Sequence, residues 1–177
     1  MNPADMAGEG QAAYRARNYL SAARAFQAAA EGYRSQGYLE LAAEMDNNRS
    51  VAFLQGGQPV AALQAVSGSA QVFAAQGDER REALAYGNQG AALEALGQHR
   101  QAIESYQRSA ELLKKIGEHE LRVPVLRALS QLQLRSGKVL PALAYMQAST
   151  AEIEHPSLWQ RILKHLFETP FRLLNRG

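Results

Sequence analysis

The amino-acid sequence repeats itself at one constant interval, the step that leads from Ala22 to Ala62, Ala102 and Ala142. When the 177-residue chain is aligned with itself at this 40-residue step, small residues fall on small ones and large apolar residues fall on large apolar ones. Phe26, Val66, Tyr106 and Met146 form the clearest large set. The four copies follow one another without an insertion. A sustained period of this length is typical of proteins built from one repeated structural unit, so it constrains the fold more than any other feature.

Each copy has the pattern of two helices. In the third copy, apolar or small residues at helical spacing run from Ala83 to Leu96, and a second stripe runs from Ala102 to Leu113. Gly97 and Gly117 follow the two stripes, and glycine ends a helix at low cost because it adopts the left-handed conformation. No alternating apolar run indicates a strand. We therefore predict an all-α fold with eight repeat helices, at 4–16, 19–35, 40–55, 59–75, 79–96, 99–116, 120–136 and 139–154.

Composition narrows the function classes. Apolar residues make up 46% of the chain and charged residues 20%, which is typical of a folded domain and not of a disordered one. The net charge is only +2, too balanced for a dedicated nucleic-acid binder. The chain has no cysteine, no signal-peptide pattern at its start and no apolar run of transmembrane length. These features favour a cytoplasmic protein.

The residues that could take part in catalysis are not arranged as in an active site. His99, His119, His155 and His165 do not form paired ligands at metal-binding spacing, and the glycines recur at the repeat step instead of forming a phosphate-binding loop. Carboxylate pairs such as Asp78 and Glu79 have the positions of ordinary helix-end charges. The sequence therefore predicts no catalytic residues, no metal site and no cofactor.

The repeat resembles the tetratricopeptide repeat. The best copy reads YGNQGAALEALGQHRQAIESYQRSAELLKKIGE, and the resemblance covers residues 4–154. The 40-residue step is similar to the longer subclass found in kinesin light chain and in Leu-Gly-Asn repeat scaffolds, with QGD at Gln76–Asp78 and GN at Gly87–Asn88 as matching motifs. The resemblance implies a right-handed α-solenoid over residues 1–156, with repeats at 1–38, 39–78, 79–118 and 119–156. Arg17 departs from the pattern, because the other copies have glycine at that place.

The same resemblance implies that the first helix of each repeat lines a concave, peptide-binding groove. Reading the faces that packing leaves free predicts these groove residues: Gln11, Arg15, Glu44, Asn47, Asn48, Val51, Gln55, Leu84, Asn88, Ala91, Glu94, Arg127, Gln131 and Arg135. Asn48 and Asn88 are equivalent, and a carboxamide both donates and accepts hydrogen bonds, so it can hold a peptide backbone of any sequence. The alternative for both is a solvated or capping asparagine. The clamp for acidic chaperone tails is not intact, because Ala7 and Gln11 occupy its places.

The last segment, residues 157–177, breaks the repeat pattern. Residues 157–168 combine an apolar helical face with basic residues, and Pro170 follows. The predicted contact residues are Trp159, Ile162, Leu163, Phe167 and Phe171. Three interpretations stay open: a helix that caps the fourth repeat, an attachment element for an anionic membrane or a second chain, and a ligand for the chain's own groove.

Two functions follow from these patterns. The leading hypothesis is a non-catalytic scaffold that binds another protein or a peptide segment through the groove. The alternative is a membrane-surface adaptor or assembly factor that docks through residues 157–177. Self-association and peripheral membrane contact are compatible with the tail, whereas nucleic-acid binding is not expected.

Overall fold

The computed structural model describes residues 2–152, and within this range every regular element is an α-helix. The predicted contact residues Trp159, Ile162, Leu163, Phe167 and Phe171 lie outside the described residues. The helices are α1 (Pro3–Arg15), α2 (Tyr19–Ser35), α3 (Leu39–Gln55), α4 (Pro59–Val66), α5 (Ser69–Ala75), α6 (Glu79–Ala95), α7 (His99–Lys115), α8 (His119–Arg135) and α9 (Val139–Ala151). The predicted all-α class is confirmed.

One predicted helix is wrong as a single element. The segment predicted as one helix over 59–75 is two helices, α4 and α5, which are separated at Ser67 and Gly68. Ser67 has extended backbone angles, and Gly68 is left-handed with φ of 85°. Serine and glycine are both poor helix formers, so the interruption has a local cause. The equivalent stretch of α7 holds Gln107 and Arg108 and is continuous.

The connections between helices share one geometry. Apart from the break between α4 and α5, each has a left-handed residue followed by a backbone N–H that bonds back to the end of the preceding helix, as from Gln58 to Phe53 and from Gln98 to Leu93, both at 2.9 Å. The left-handed residue is glycine in most connections, but it is Arg17, with φ of 59°, between α1 and α2. A side chain in this conformation costs roughly 1–2 kcal/mol. The repeat geometry is therefore kept in the first copy in spite of its sequence.

The chain divides into two compact units. The first ends at Leu112 and the second begins at Leu113, inside α7. In the first unit, consecutive helices pack in adjacent pairs, as in a solenoid of tetratricopeptide-like repeats. The pairs are antiparallel: Gly10 of α1 lies against Phe26 of α2, while Gly32, later in α2, lies against Pro3 at the start of α1.

The core of the first unit is built largely from alanine, with single large side chains between the helices. Ala22, Ala29 and Ala52 are fully buried around Phe26. A second cluster surrounds Phe73, which is 0% exposed. Because alanine side chains are short, the helix backbones approach closely, and each large ring fills the space that remains.

The second unit contains the antiparallel pair of α8 and α9. Leu126, Leu129 and Leu132 of α8 are buried, and Ser130 donates a hydrogen bond of 2.8 Å to the backbone carbonyl of Ala142 in α9. At the other end of the pair, Glu152 forms an ion pair with Arg122 and a hydrogen bond with His119. These contacts fix the two helices to each other.

Candidate functional site

A pocket of about 320 Å³ lies between α1 and α3 in the first unit. Its lining comprises Gln11, Tyr14, Arg15, Phe26, Asn48 and Val51. Four of these were predicted for the groove from sequence: Gln11 and Arg15 on α1, and Asn48 and Val51 on α3. The structure therefore brings together residues that are far apart in the chain. The pocket carries aromatic, aliphatic, amide and cationic groups side by side.

The buried ring of Phe26, supplied by α2, is part of the pocket lining. The ring is only 3% exposed and lies directly against the backbone of Gly10. A Cβ atom at Gly10 would lie 2.7 Å from Phe26 Cδ1 and Cε1, closer than atoms in contact allow. Glycine at this place therefore allows the ring to pack against the backbone of α1.

The wall formed by α1 ends in Tyr14 and Arg15. The ring of Tyr14 meets that of Tyr19 edge to face, with centroids 5.5 Å apart, which fixes its position beside the pocket. Arg15 occupies the last turn of α1 and is exposed. Among residues 2–152 it makes no ion pair.

Asparagines continue the polar surface from the pocket toward α6. Asn88 Nδ2 of α6 donates a hydrogen bond of 2.8 Å to Asn47 Oδ1 of α3, and Asn48 on the next position of α3 lines the pocket. Of the predicted pair, Asn88 thus bonds to Asn47, the residue that precedes Asn48 in α3. The bond uses one donor of Asn88 and one lone pair of Asn47, so both amides keep capacity for further hydrogen bonds.

Glu44, also predicted for the groove, belongs to a charged cluster around Arg81. Arg81 Nε lies 2.6 Å from Asp78 Oδ2, while one terminal nitrogen lies 3.4 Å from Glu40 and the other 3.4 Å from Glu44. The guanidinium also stacks over the ring of Phe73, with its carbon 5.1 Å from the centroid. Within this cluster the charge of Glu44 is partly neutralised.

Hydrogen bonds within this cluster shift the pKa values of two of its members. The backbone N–H of Arg81 bonds to Asp78 Oδ1 at 2.8 Å, which lowers the pKa of that carboxyl below its ordinary value, and the Arg81 side chain acts in the same direction. The side-chain bond from Arg81 to Asp78 in turn raises the pKa of the guanidinium. Asp78 is also the N-cap of α6, so the cluster anchors the start of that helix.

The other predicted groove residues of the first unit differ in burial and in hydrogen bonding. Leu84 and Ala91 are half-buried on α6, and Gln55 is exposed at the end of α3. Glu94 accepts a hydrogen bond of 3.1 Å from the hydroxyl of Tyr106 on α7, the partner helix of α6. Burial and the Glu94 carboxylate raise the pKa of Tyr106, so its hydroxyl stays a donor to Glu94.

The residues predicted from the fourth copy lie in the second unit. Arg127, Gln131 and Arg135 are exposed and follow one another at intervals of four residues on α8. They share one helix face because this interval is close to one turn. Their spacing is therefore that of a continuous polar stripe.

Sequence reasoning missed three residues of the site and its surroundings. Phe26 was assigned to packing, and Tyr14 was not assigned. Both are packing residues that also line the pocket, a dual role that the repeat pattern alone does not reveal. Arg81 was also missed, although Asp78, as an acidic residue just before a helix, is a signal for an N-cap whose partner lies three residues later.

No three His, Asp or Glu side chains in residues 2–152 come together as a metal site would require. Within the same residues, no helix has both the length and the apolar character needed to cross a bilayer.

Comparison with known proteins agrees with the packing of the helices. A family model for the tetratricopeptide repeat matches residues 81–151, from α6 to the end of α9. No curated protein matches the chain. Taken with the adjacent helix pairs, this match supports a tetratricopeptide repeat protein, a type of repeat that generally mediates protein–protein interaction.

Proposed function

We propose that the chain is a non-catalytic scaffold that binds an extended peptide segment of another protein across α1, α3 and α6. The observation that carries the proposal is that all three helices supply carboxamides: Gln11 and Asn48 line the pocket, and Asn47, the neighbour of Asn48 in α3, accepts a hydrogen bond from Asn88 of α6. An extended peptide offers alternating N–H and C=O groups, which carboxamides pair with in either role. The 40-residue step further supports a relationship to the kinesin light chain-like subclass.

The test uses a peptide selected on the protein itself. A random displayed library is selected on the full chain, and an enriched peptide is synthesised with a fluorescein label as the probe. Changing Asn48 and Asn88 together to alanine is expected to weaken binding of this probe roughly 30-fold, because each lost hydrogen bond contributes about 1 kcal/mol. Fluorescence anisotropy measures the affinity, and far-ultraviolet circular dichroism checks the helices.

Gln64→Ala is the matched control. Gln64 is an exposed amide on α4, a second helix of its repeat, so its removal should leave the affinity unchanged. If the double variant keeps both its helicity and the affinity of the original chain, the carboxamides do not hold the peptide and this assignment fails.

A second candidate function is a membrane-surface adaptor, and it rests on the sequence of residues 157–177. This segment combines Leu158, Trp159, Ile162 and Leu163 with the basic residues Arg161 and Lys164. Basic amphipathic segments favour anionic lipid surfaces. We expect the full chain to float with vesicles rich in phosphatidylserine and a chain that ends at Glu154 to remain in the soluble fraction. Equal behaviour of the two chains would exclude this function.

A further inference from the structure

We infer that one edge of the first unit docks on an anionic lipid surface. This edge, here called the basic edge, is formed by the connections α1–α2, α3–α4 and α6–α7, and its contact residues are Arg17, Leu20, Arg24 and Val60. The inference does not involve the peptide site. It rests on the second candidate function, to which it adds a contact surface within the described residues.

Contacts within the first unit place the three connections at the same end of the helices. A Cβ atom at Gly56 would lie 3.4 Å from Tyr19 Cβ, so the α3–α4 connection passes beside the start of α2. Helices α3 and α6 run in the same direction, because Arg81 contacts Glu44 near their starts and Asn88 bonds to Asn47 further along. The connection that follows α6 therefore lies at the same end as the connection that follows α3.

The basic edge lacks acidic residues in the first two copies. Residues 10–30 contain three arginines and no Asp or Glu, and residues 50–77 contain no charged residue at all. At the opposite end of the helices, Glu40, Asp78 and Glu79 stand at the starts of α3 and α6. Arg17 and Arg24 are exposed and make no ion pair among residues 2–152. Their charges are therefore complementary to an anionic surface.

Exposed aliphatic side chains accompany these cations. Leu20 is 46% exposed and Val60 is 58% exposed, and they are the second residues of α2 and α4, one repeat step apart. Arg24 follows Leu20 by four residues, so the two share one face of α2. The third copy has Arg100 at this place, which pairs with Glu104 at 3.4 Å. In the second unit, the equivalent Leu140 is again exposed, at 73%.

The backbone at Arg17 supports a use for its side chain. At the 40-residue step, Arg17 aligns with Gly57 and Gly97, and all three residues have a positive φ. Glycine adopts this conformation without strain, whereas arginine does not. Strained backbone is commonly kept where a side chain has a function. A guanidinium at this connection has one when the basic edge meets an anionic surface.

The arrangement favours lipid over an acidic protein as the occupant. Leu20 and Val60 stand exposed at the starts of separate helices and do not line a common cavity. The interfacial region of a bilayer accepts single aliphatic side chains beside cations, whereas a protein partner needs a recess matched to each of them. Because stable anchoring takes two signals, the basic edge acts together with residues 157–177 and does not hold the chain on a membrane alone.

The experiment measures how the full chain partitions into phosphatidylcholine vesicles with and without phosphatidylserine, by co-sedimentation. We expect binding only to the vesicles with phosphatidylserine. Arg17→Gly should weaken this binding about fivefold, the usual contribution of one basic residue near an anionic surface. Arg80→Gln is the control: it lowers the net charge equally, but Arg80 is exposed at the opposite end, so binding should stay unchanged.

A second pair of variants tests the aliphatic contacts. Changing Leu20 and Val60 together to serine should weaken binding at least about tenfold, because both side chains lose their burial in the lipid interface. The control changes Leu39 and Leu41 to serine; these are 59% and 38% exposed at the start of α3, at the opposite end, and should not affect binding. Circular dichroism of each variant checks the helices.

The outcomes separate the basic edge from the other proposals. If both edge variants bind like the original chain and only a chain that ends at Glu154 loses binding, the inference falls and the second candidate function stands. If Arg17→Gly weakens binding but the two serines do not, the contact is purely ionic and the lipid assignment is overturned. A full chain that binds neither type of vesicle contradicts the inference and the second candidate function, and leaves the peptide scaffold untouched.

Discussion

Replacing Phe73 by alanine is expected to lower the free energy of unfolding by about 3–5 kcal/mol. The ring is 0% exposed and is packed among Ala43, Val66 and Ala85, which come from three different helices. Small neighbours cannot move in to fill the cavity, because alanine side chains have no freedom to rearrange. The loss also removes the surface over which Arg81 stacks. Urea unfolding followed by circular dichroism measures the change.

Val60→Ala is the control for this prediction. Val60 is 58% exposed on α4, so its truncation should change the stability by less than about 0.5 kcal/mol. A Phe73→Ala variant that unfolds at the same urea concentration as Val60→Ala would show that the Phe73 cluster is not a stabilising core.

Replacing Gly90 by valine is expected to cost about 3 kcal/mol of stability, at the upper end for overpacking. A Cβ atom at Gly90 would lie 2.7 Å from Tyr106 Cδ1 and 2.9 Å from Cε1 and Cγ. Tyr106 is 6% exposed and its hydroxyl is bonded to Glu94, so the ring cannot retreat without losing that bond. The clash therefore outweighs the gain in helix propensity, which is at most about 1 kcal/mol.

Gly87→Ala, in the same helix, measures the gain in helix propensity without the steric clash that a side chain at Gly90 causes. The nearest atom to a Cβ at Gly87 is Ser109 Oγ at 3.4 Å, an ordinary contact, so this variant should gain up to about 1 kcal/mol. Thermal melting of Gly87→Ala and Gly90→Val measures both. If the two substitutions shift the melting temperature in the same direction, Gly90 is not needed for the close approach of α6 and α7.

These two residues illustrate how the repeat pattern relates to the fold. Phe73 aligns with Tyr33 and Leu113, and Gly90 aligns with Gly10 and two serines, so their size classes recur at the repeat step. Size at fixed intervals determines which residues meet, because helices of equal length joined by equal loops repeat the same contacts. The sequence therefore predicts the helix pairs and their close approach.

Individual helices and connections were harder to predict than the repeat itself, because some local residues depart from the repeat pattern. The interruption at Ser67 and Gly68 was not predicted, since the repeat step runs through it unchanged and Phe73 keeps its buried place. Arg17 shows the opposite case: its side chain does not favour the left-handed conformation, but it adopts φ of 59° because the connection between α1 and α2 requires it.

The sequence by itself determined the helical class, the pairing of the helices and the helix faces on which Gln11, Arg15, Asn48 and Val51 stand, because these depend on periodicity along one chain. Only the tertiary structure decided that these four residues share a pocket over Phe26, that Asn88 bonds to Asn47, and that Arg81 joins Asp78 to Glu40 and Glu44. Such contacts depend on distances of a few ångströms between neighbouring helices. Those distances are set by packing at residues such as Gly10, and periodicity carries no information about them.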